Sequence, residues 1–332
     1  MFMQSNIDFV VPWVDSNDSA WQAEKAKHSP NKNSDASDKR YRDMNFLPYW
    51  FRGVEKFAPW VNKIHFITCG HFPKWLNLNH PKLNFIKHTD YIPQEYLPTF
   101  NSHTIIFNVH RIANLAENFV LFNDDMYLLN KVNAGDFFVN NIPCDQALMR
   151  NMTPDSSHFG KILYNNMSVI NKHFKKHDVI KKNFFKWFNL SYGIRSCFIN
   201  WQNYRQVKFS DMFNPHLPIA YKKTEFEYVW QIENELLHQT SLHKFRDTED
   251  VTDWLIRYFR VMKGEFKPHP IIGKLFNMNE DSIAEICYSI KNQKHKQICI
   301  NDVEDDVNCE AIEKEIINAF ETILPRKSEF EI

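Results

Sequence analysis

Apolar residues in this chain come in two spacings. Ile7 to Val11 (closed by Pro12), Lys63 to Thr68, Leu83 to His88 and Phe119 to Phe122 are short, nearly continuous runs. Each reads as a strand buried on both faces, the habit of parallel sheets. Between them, helical spacing or a helix-capping residue marks Asn45 to about Phe57, Asn101 or Ser102 to about Leu115, Thr224 to Thr240 and Asp253 to Met262. Ile298 to Asp302 is a further short strand, ending in Asn-Asp, and Glu310 to Leu324 a closing amphipathic helix. Strands alternating with helices build βαβ units. The expected fold is therefore α/β, a mostly parallel sheet with flanking helices. No repeat and no Gly/Ser/Pro-rich linker divides the chain. One domain over residues 1–332 is expected, with a core of 1–135 and 210–305, an insertion at about 160–208 and the closing helix at about 310–325.

The insertion has its own character. Between Lys172 and Lys186 six lysines face a single acid, Asp178, with Phe174, Val179, Phe184 and Phe185 interleaved. Arg195, Arg205 and Lys208 extend the positive stretch. This pattern predicts a basic amphipathic helix or helical pair. It would serve as a lid with a solvated lysine face, or as a surface for a polyanion or anionic lipid headgroups.

Composition narrows the classes. Lys+Arg and Asp+Glu are 40 each, so overall charge does not argue for nucleic acid. Only 7 glycines are present, and neither G-x-x-x-x-G-K-[ST] nor G-x-G-x-x-G occurs, which speaks against a glycine-rich phosphate loop. The 6 cysteines are scattered without C-x-x-C pairing, as in a reducing compartment. Met1 to Asn6 lacks the pattern of a signal peptide, and no run is long enough to span a membrane. A cytoplasmic location is expected, with peripheral contact at the inner membrane face as an alternative.

The candidate chemistry lies at the strand ends. Phe119-Val120-Leu121-Phe122 stops at Asn123-Asp124-Asp125, and two adjacent carboxylates cannot follow the strand into a core unpaired. Asp15 and Asp90 also follow strands, and right-handed crossovers bring such ends to one sheet edge, where open α/β sheets bind ligands. A pair of hard oxygen ligands there suits Mg²⁺ or Mn²⁺ carrying a substrate phosphate; a solvated acidic turn is the alternative.

The ordered segments I-D-F-V-V-P-W-V-D-S-N-D-S-A-W from Ile7, R-Y-R-D from Arg40, A-P-W-V-N-K-I-H-F-I-T from Ala58, F-V-L-F-N-D-D-M-Y from Phe119, P-H-L-P around His216, K-F-R-D around Arg246 and C-I-N-D from Cys299 resemble the Stealth family of sugar-phosphate transferases. The resemblance runs from Ile7 to about Asp302 and is weakest between Asn133 and Met212. Ser16 and Ser19 stand where the family usually has Gly and Pro. Ile106 stands where an acidic residue is common.

This resemblance implies a nucleotide-sugar transferase-like fold. The implied reaction transfers a sugar-1-phosphate from a UDP-sugar, commonly UDP-N-acetylglucosamine, to a hydroxyl of an oligosaccharide or anionic polysaccharide acceptor, releasing UMP. A metal-dependent glycosyltransferase releasing UDP is the alternative. In this reading Asp124 and Asp125 hold the cation, with Asp302 as a third ligand, and Asn123 and Asn301 support these carboxylates. Arg42 and Arg246 clamp phosphate oxygens with their two-pronged guanidinium groups. His216, held in a Pro-framed turn, is the first candidate base, because an imidazole can take a proton near neutral pH. His110 is a second candidate near the substrate, with a packed core role as its alternative. Asp15 is a further base, or a ligand for donor hydroxyls. Membrane or capsule-assembly contact and homo-oligomerisation are left open.

Overall fold

A computed structural model describes residues 6–28, 34–36, 41–152, 157–278, 281–301 and 309–332. The principal elements in chain order are strand Ile7–Pro12 (β1), helices Ser19–Ala26 (α1) and Leu47–Phe57 (α2), and strands Ile64–Thr68 (β2) and Leu83–Lys87 (β3). Helix Ser102–Phe107 (α3) and strands Asn118–Leu121 (β4) and Met126–Leu128 (β5) follow. Three helices come next, His158–His173 (α4), Lys176–Lys182 (α5) and Ile194–Tyr204 (α6). The chain continues through strand Ile219–Lys222 (β6) and helices Lys223–Ile232 (α7), Asn234–Leu242 (α8) and Trp254–Lys263 (α9). It closes with Gly273–Asn277 (β7), Ile283–Lys291 (α10), Gln297–Asn301 (β8) and Cys309–Ile323 (α11).

The central sheet has the order β6-β4-β1-β2-β3. β1 to β4 are mutually parallel, and β6 is antiparallel on the β4 edge. From β1 the chain steps outward to β2 and β3, then returns to place β4 on the other side. This reversal opens a crevice beyond the carboxyl ends of β1 and β4, the usual ligand position in open α/β sheets. Phe9, Phe119, Val120 and Phe122 are fully buried, as their continuous apolar run requires. α2 covers one face: Trp50 packs edge-on against Phe122 and Phe51 against Phe66, with ring centroids 5.4 and 5.8 Å apart. A second, small sheet of order β7-β8-β5 abuts the crevice.

Several helix boundaries differ from the sequence expectation, each for a local reason. Asn45 does not cap α2: it has a φ of 56° in a turn, and the helix starts at Leu47 with Pro48 in its first turn. The helix expected to reach Leu115 ends at Phe107, where the Asn108 side chain donates to the Thr104 carbonyl and a 3-10 turn over Val109–Arg111 follows. The segment 224–240 forms two helices broken at Glu233, whose carboxylate accepts from Lys172 Nζ and pairs with His173 across to α4. The lysine-rich run spans the end of α4, α5 and the short helix Phe184–Trp187. Within it Lys176 is buried, its Nζ donating to the Asn203 and Lys208 carbonyls, so it does not belong to the basic surface.

Candidate functional site

The crevice is a cleft of about 580 Å³. Arg42, Asn123, Asp124, Asp125, His216, Arg246 and Asn301 all line it, although they are drawn from positions across most of the chain. Asp302 lies outside the described residues. Asp15 and His110 are not among the lining groups.

The Asn123-Asp124-Asp125 turn is held through its backbone, which leaves the carboxylates for the cleft. Tyr127 Oη donates to the Asp124 carbonyl (2.8 Å) and the Ile300 amide to the Asp125 carbonyl (2.9 Å). Enclosure in the cleft, then the like charges of Asp125 and Asp43, raise the Asp124 carboxyl to about 7. Asp124 itself stands exposed at the cleft, beside the like charges of Asp125 and Asp43. Asp125 Oδ1 is buried without a hydrogen-bond partner. An orphaned carboxylate oxygen among clustered carboxylates is what a bound cation would satisfy. Asp125, His216 and Cys299 offer ligand atoms within 4.8 Å of one another. Cys299 is fully buried, and burial and then Asp125 push its thiol well above the ordinary value, so it stays protonated. The oxygen donors and not the sulfur therefore suit a hard ion, and the residues present fit Mg²⁺ or Mn²⁺.

His216 sits at the apex of its turn with a φ of 49°, its amide donating to Asn214 Oδ1 (2.8 Å). Its Nε2 lies 3.8 Å from Asp125 Oδ2, and its ring meets Trp254 edge-on at 5.9 Å. Arg246 Nε and Nη2 both donate to Ser102 Oγ, at 3.0 and 2.7 Å. Behind it a buried network holds the chain: Asn101 Nδ2 donates to Asp250 Oδ2 (2.9 Å), and Asp250 also accepts from the Asp247 amide and pairs with His243.

The other sequence candidates have different surroundings. Asn301 donates its amide to Asn277 Oδ1 at 3.1 Å, not to a carboxylate. Asp15 Oδ1 accepts from the Asn17 amide and its own amide donates to His71 Nε2, while Asp18 caps α1. His110 is buried against Phe226, with Nδ1 3.0 Å from the Phe107 carbonyl; burial and then Arg111 lower its pKa to about 4, so it is neutral. Ile106 is buried in the cleft wall.

Sequence reasoning assigned no role to Asp43, Arg150, Asp253 or Trp254, which also line the cleft. Asp43 stands in the R-Y-R-D segment, so its position was visible. Asp253 read only as a helix start. It stands at the N-cap position of α9 without a capping bond, and accepts instead from Tyr221 Oη (2.9 Å). Burial raises its carboxyl to about 6, against the pull of Tyr221, His216 and Arg246. A folded-state pKa above the ordinary 3.8 favours the native state at pH below 3.8 and loses that advantage as pH rises to about 6. The rise corresponds to at most about 3 kcal/mol. Asp253→Asn keeps an acceptor for Tyr221 and removes the buried charge. We therefore expect it to melt above the parent protein at pH 8, with the gap shrinking toward pH 4. A thermal melt showing the same gap at both pH values would contradict this account.

An α/β sheet with a cleft at its switch point, lined by carboxylates, arginines and a histidine, is consistent with a nucleotide-sugar transferase-like fold. Residues 40–145 match the family model Stealth protein CR2, conserved region 2. The chain is 41% identical to a capsular polysaccharide phosphotransferase WcwK of Streptococcus pneumoniae, over 98% of each chain. It is 37% identical to the exopolysaccharide phosphotransferase cps2G of Lactiplantibacillus plantarum, over 98% of this chain and 96% of that one. It is also 37% identical to the receptor polysaccharide phosphotransferase WefC of Streptococcus oralis, over 99% of this chain and all of the other. The chain belongs to the Stealth family, and it is a phosphotransferase.

Proposed function

We propose that this enzyme transfers a sugar-1-phosphate, of the N-acetylhexosamine type, from a UDP-sugar to a hydroxyl of a capsular or exopolysaccharide acceptor. The acceptor oxygen forms a bond to the phosphorus nearest the sugar, the bond from that phosphorus to the bridging oxygen breaks, and UMP leaves. The observation that carries this reading is the Asp43–Asp124–Asp125 cluster in one cleft with Arg42, Arg246 and His216. Relatives along the whole chain, named as polysaccharide phosphotransferases, support it.

In this scheme His216 Nε2, 3.8 Å from Asp125 Oδ2, takes the acceptor proton. Arg246, oriented by Ser102, and Arg42 hold phosphate oxygens in line for displacement. Asp124 and Asp125 would hold a Mg²⁺ or Mn²⁺ ion, which when bound neutralises pyrophosphate charge and stabilises the departing phosphate. Trp13, Trp21 and Phe100 are buried apolar side chains of the cleft lining.

The deciding experiment incubates the protein with a panel of UDP-sugars, Mg²⁺ and a short acceptor. The expected products are UMP and a phosphodiester signal in phosphorus NMR, with His216→Gln at least about a hundredfold slower. Release of UDP and a glycosidic product would replace this reading with ordinary glycosyl transfer. No metal-dependent consumption of any UDP-sugar would remove it.

A further inference from the structure

α6 is amphipathic in the wrong sense for a helix on a soluble protein. Its inward residues are Asn200 and Asn203, both buried. Asn200 is tied to the core by bonds from its Nδ2 to the Ala147 and Trp187 carbonyls and by accepting from the Met149 amide. Its outward stripe is Ile194, Phe198 and Trp201, spaced i, i+4, i+7 on one face, and 80%, 53% and 48% exposed. Just upstream, Phe185 (83%) and Leu190 (78%) are also exposed. A helix that hides asparagines and shows isoleucine and aromatics to solvent has its apolar face turned toward something other than the core.

Charge says what that something is. Lys181, Lys182, Arg195 and Arg205 are all exposed on the same insertion, and the Arg205 guanidinium lies 4.7 Å over the Trp201 ring. Exposed basic groups on the segment that carries the apolar stripe match a bilayer interface bearing anionic headgroups, where the apolar face enters the acyl boundary and the cations meet phosphates. A polyanionic sugar chain would use the cations and could stack on Trp201, but it offers nothing to Leu190 and Ile194. Among the described residues no helix is long and apolar enough to cross a membrane, so the contact is peripheral. We propose that the insertion, through α6 and its neighbours, is a membrane-docking surface selective for anionic lipid. Because Asn200 bonds the strand that ends in cleft-lining Arg150, docking through α6 would hold the cleft in a fixed orientation to the bilayer.

The test is co-sedimentation of the full chain with vesicles of phosphatidylglycerol in phosphatidylcholine, against phosphatidylcholine alone, at low and high salt. Binding to the anionic vesicles, weakened by salt, is expected. Ile194→Asp with Phe198→Asp should lower partitioning at least about tenfold, since each side chain loses the burial that drives insertion. Both residues are exposed, so the melting temperature and the turnover of a water-soluble acceptor should not change. Parent protein that stays in solution with anionic vesicles overturns the proposal. So does loss of binding in Lys181→Glu/Lys182→Glu while the Asp variant binds normally, which would mark a polyanion surface. Sedimentation showing a dimer that the Asp variant dissolves, without vesicle binding, would assign the stripe to self-association and equally overturn it.

Discussion

Asp125→Asn should reduce kcat/KM by about a thousandfold or more, roughly 4 kcal/mol of transition-state stabilisation, while leaving the fold intact. The substitution keeps the shape of the side chain and removes the negative charge. Asp125 Oδ1 has no protein hydrogen-bond partner to lose, and its backbone carbonyl continues to accept from the Ile300 amide. In the proposed chemistry, what disappears is the charge that would hold a cation and the carboxylate facing His216 Nε2. Asp124→Asn should behave alike, and here the melting temperature should hold or rise. Asp125 and Asp43 both raise the Asp124 carboxyl, so removing its charge relieves repulsion in the free protein. Loss of activity without loss of stability is the mark of a site held against its own electrostatics. Turnover within tenfold of the parent in both variants, measured at saturating Mg²⁺, would show that the pair is an ordinary acidic turn.

Asp145→Asn should instead destabilise the fold by about 3–5 kcal/mol, because two buried guanidiniums would lose their shared counter-ion. Arg257 Nε and Nη2 reach Asp145 at 2.7–3.0 Å, and Arg260 Nη2 donates to Oδ2, which Arg257 Nε also reaches. All three side chains are buried. Burial works to raise the Asp145 carboxyl, but the two arginines outweigh it and hold it below the ordinary value of 3.8. The stability from this group is therefore present above that pH and is lost as pH falls through the lower folded-state value. Arg260 keeps Glu225 at 2.8 Å in the variant, but Arg257 keeps only carbonyl contacts. Against a typical total stability of about 5–15 kcal/mol the loss is large, and a drop on the order of 10 °C in melting temperature is expected. A change under about 2 °C would show that solvent or repacking compensates the pair. The effect would also reach the cleft, since both arginines stand on α9, whose first turn carries Trp254 against His216.

The strands were legible in the chain, because a continuous apolar run has few places to go other than a sheet covered on both faces. The Asp124–Asp125 junction was, because adjacent charges at the end of such a run must turn outward. Helix ends were less so. α7 and α8 separate at Glu233 through its contacts with Lys172 and His173, and no local propensity encodes a partner about sixty residues away. Lys176 reads as one more cation in a basic run, yet its ammonium is enclosed by two carbonyls. Asp253 reads only as the start of a helix, and its side chain is turned toward Tyr221.

The sequence by itself determined the class of fold, the outward turn at Asp124–Asp125 and, through ordered short segments, the family; it also placed Asp15 and Asp90 at that edge, and neither lines the cleft. These rest on local patterns, and local patterns survive in one dimension. Only the tertiary structure decided that Arg42, Arg246 and His216 share a cleft with Asp124 and Asp125 while His110 is enclosed in the core. It alone showed that the helix at Ile194–Tyr204 turns asparagines inward and apolar side chains outward. Which face of an element meets the core depends on what else packs there, and chain closure over more than a hundred residues sets that, not the periodicity of the segment.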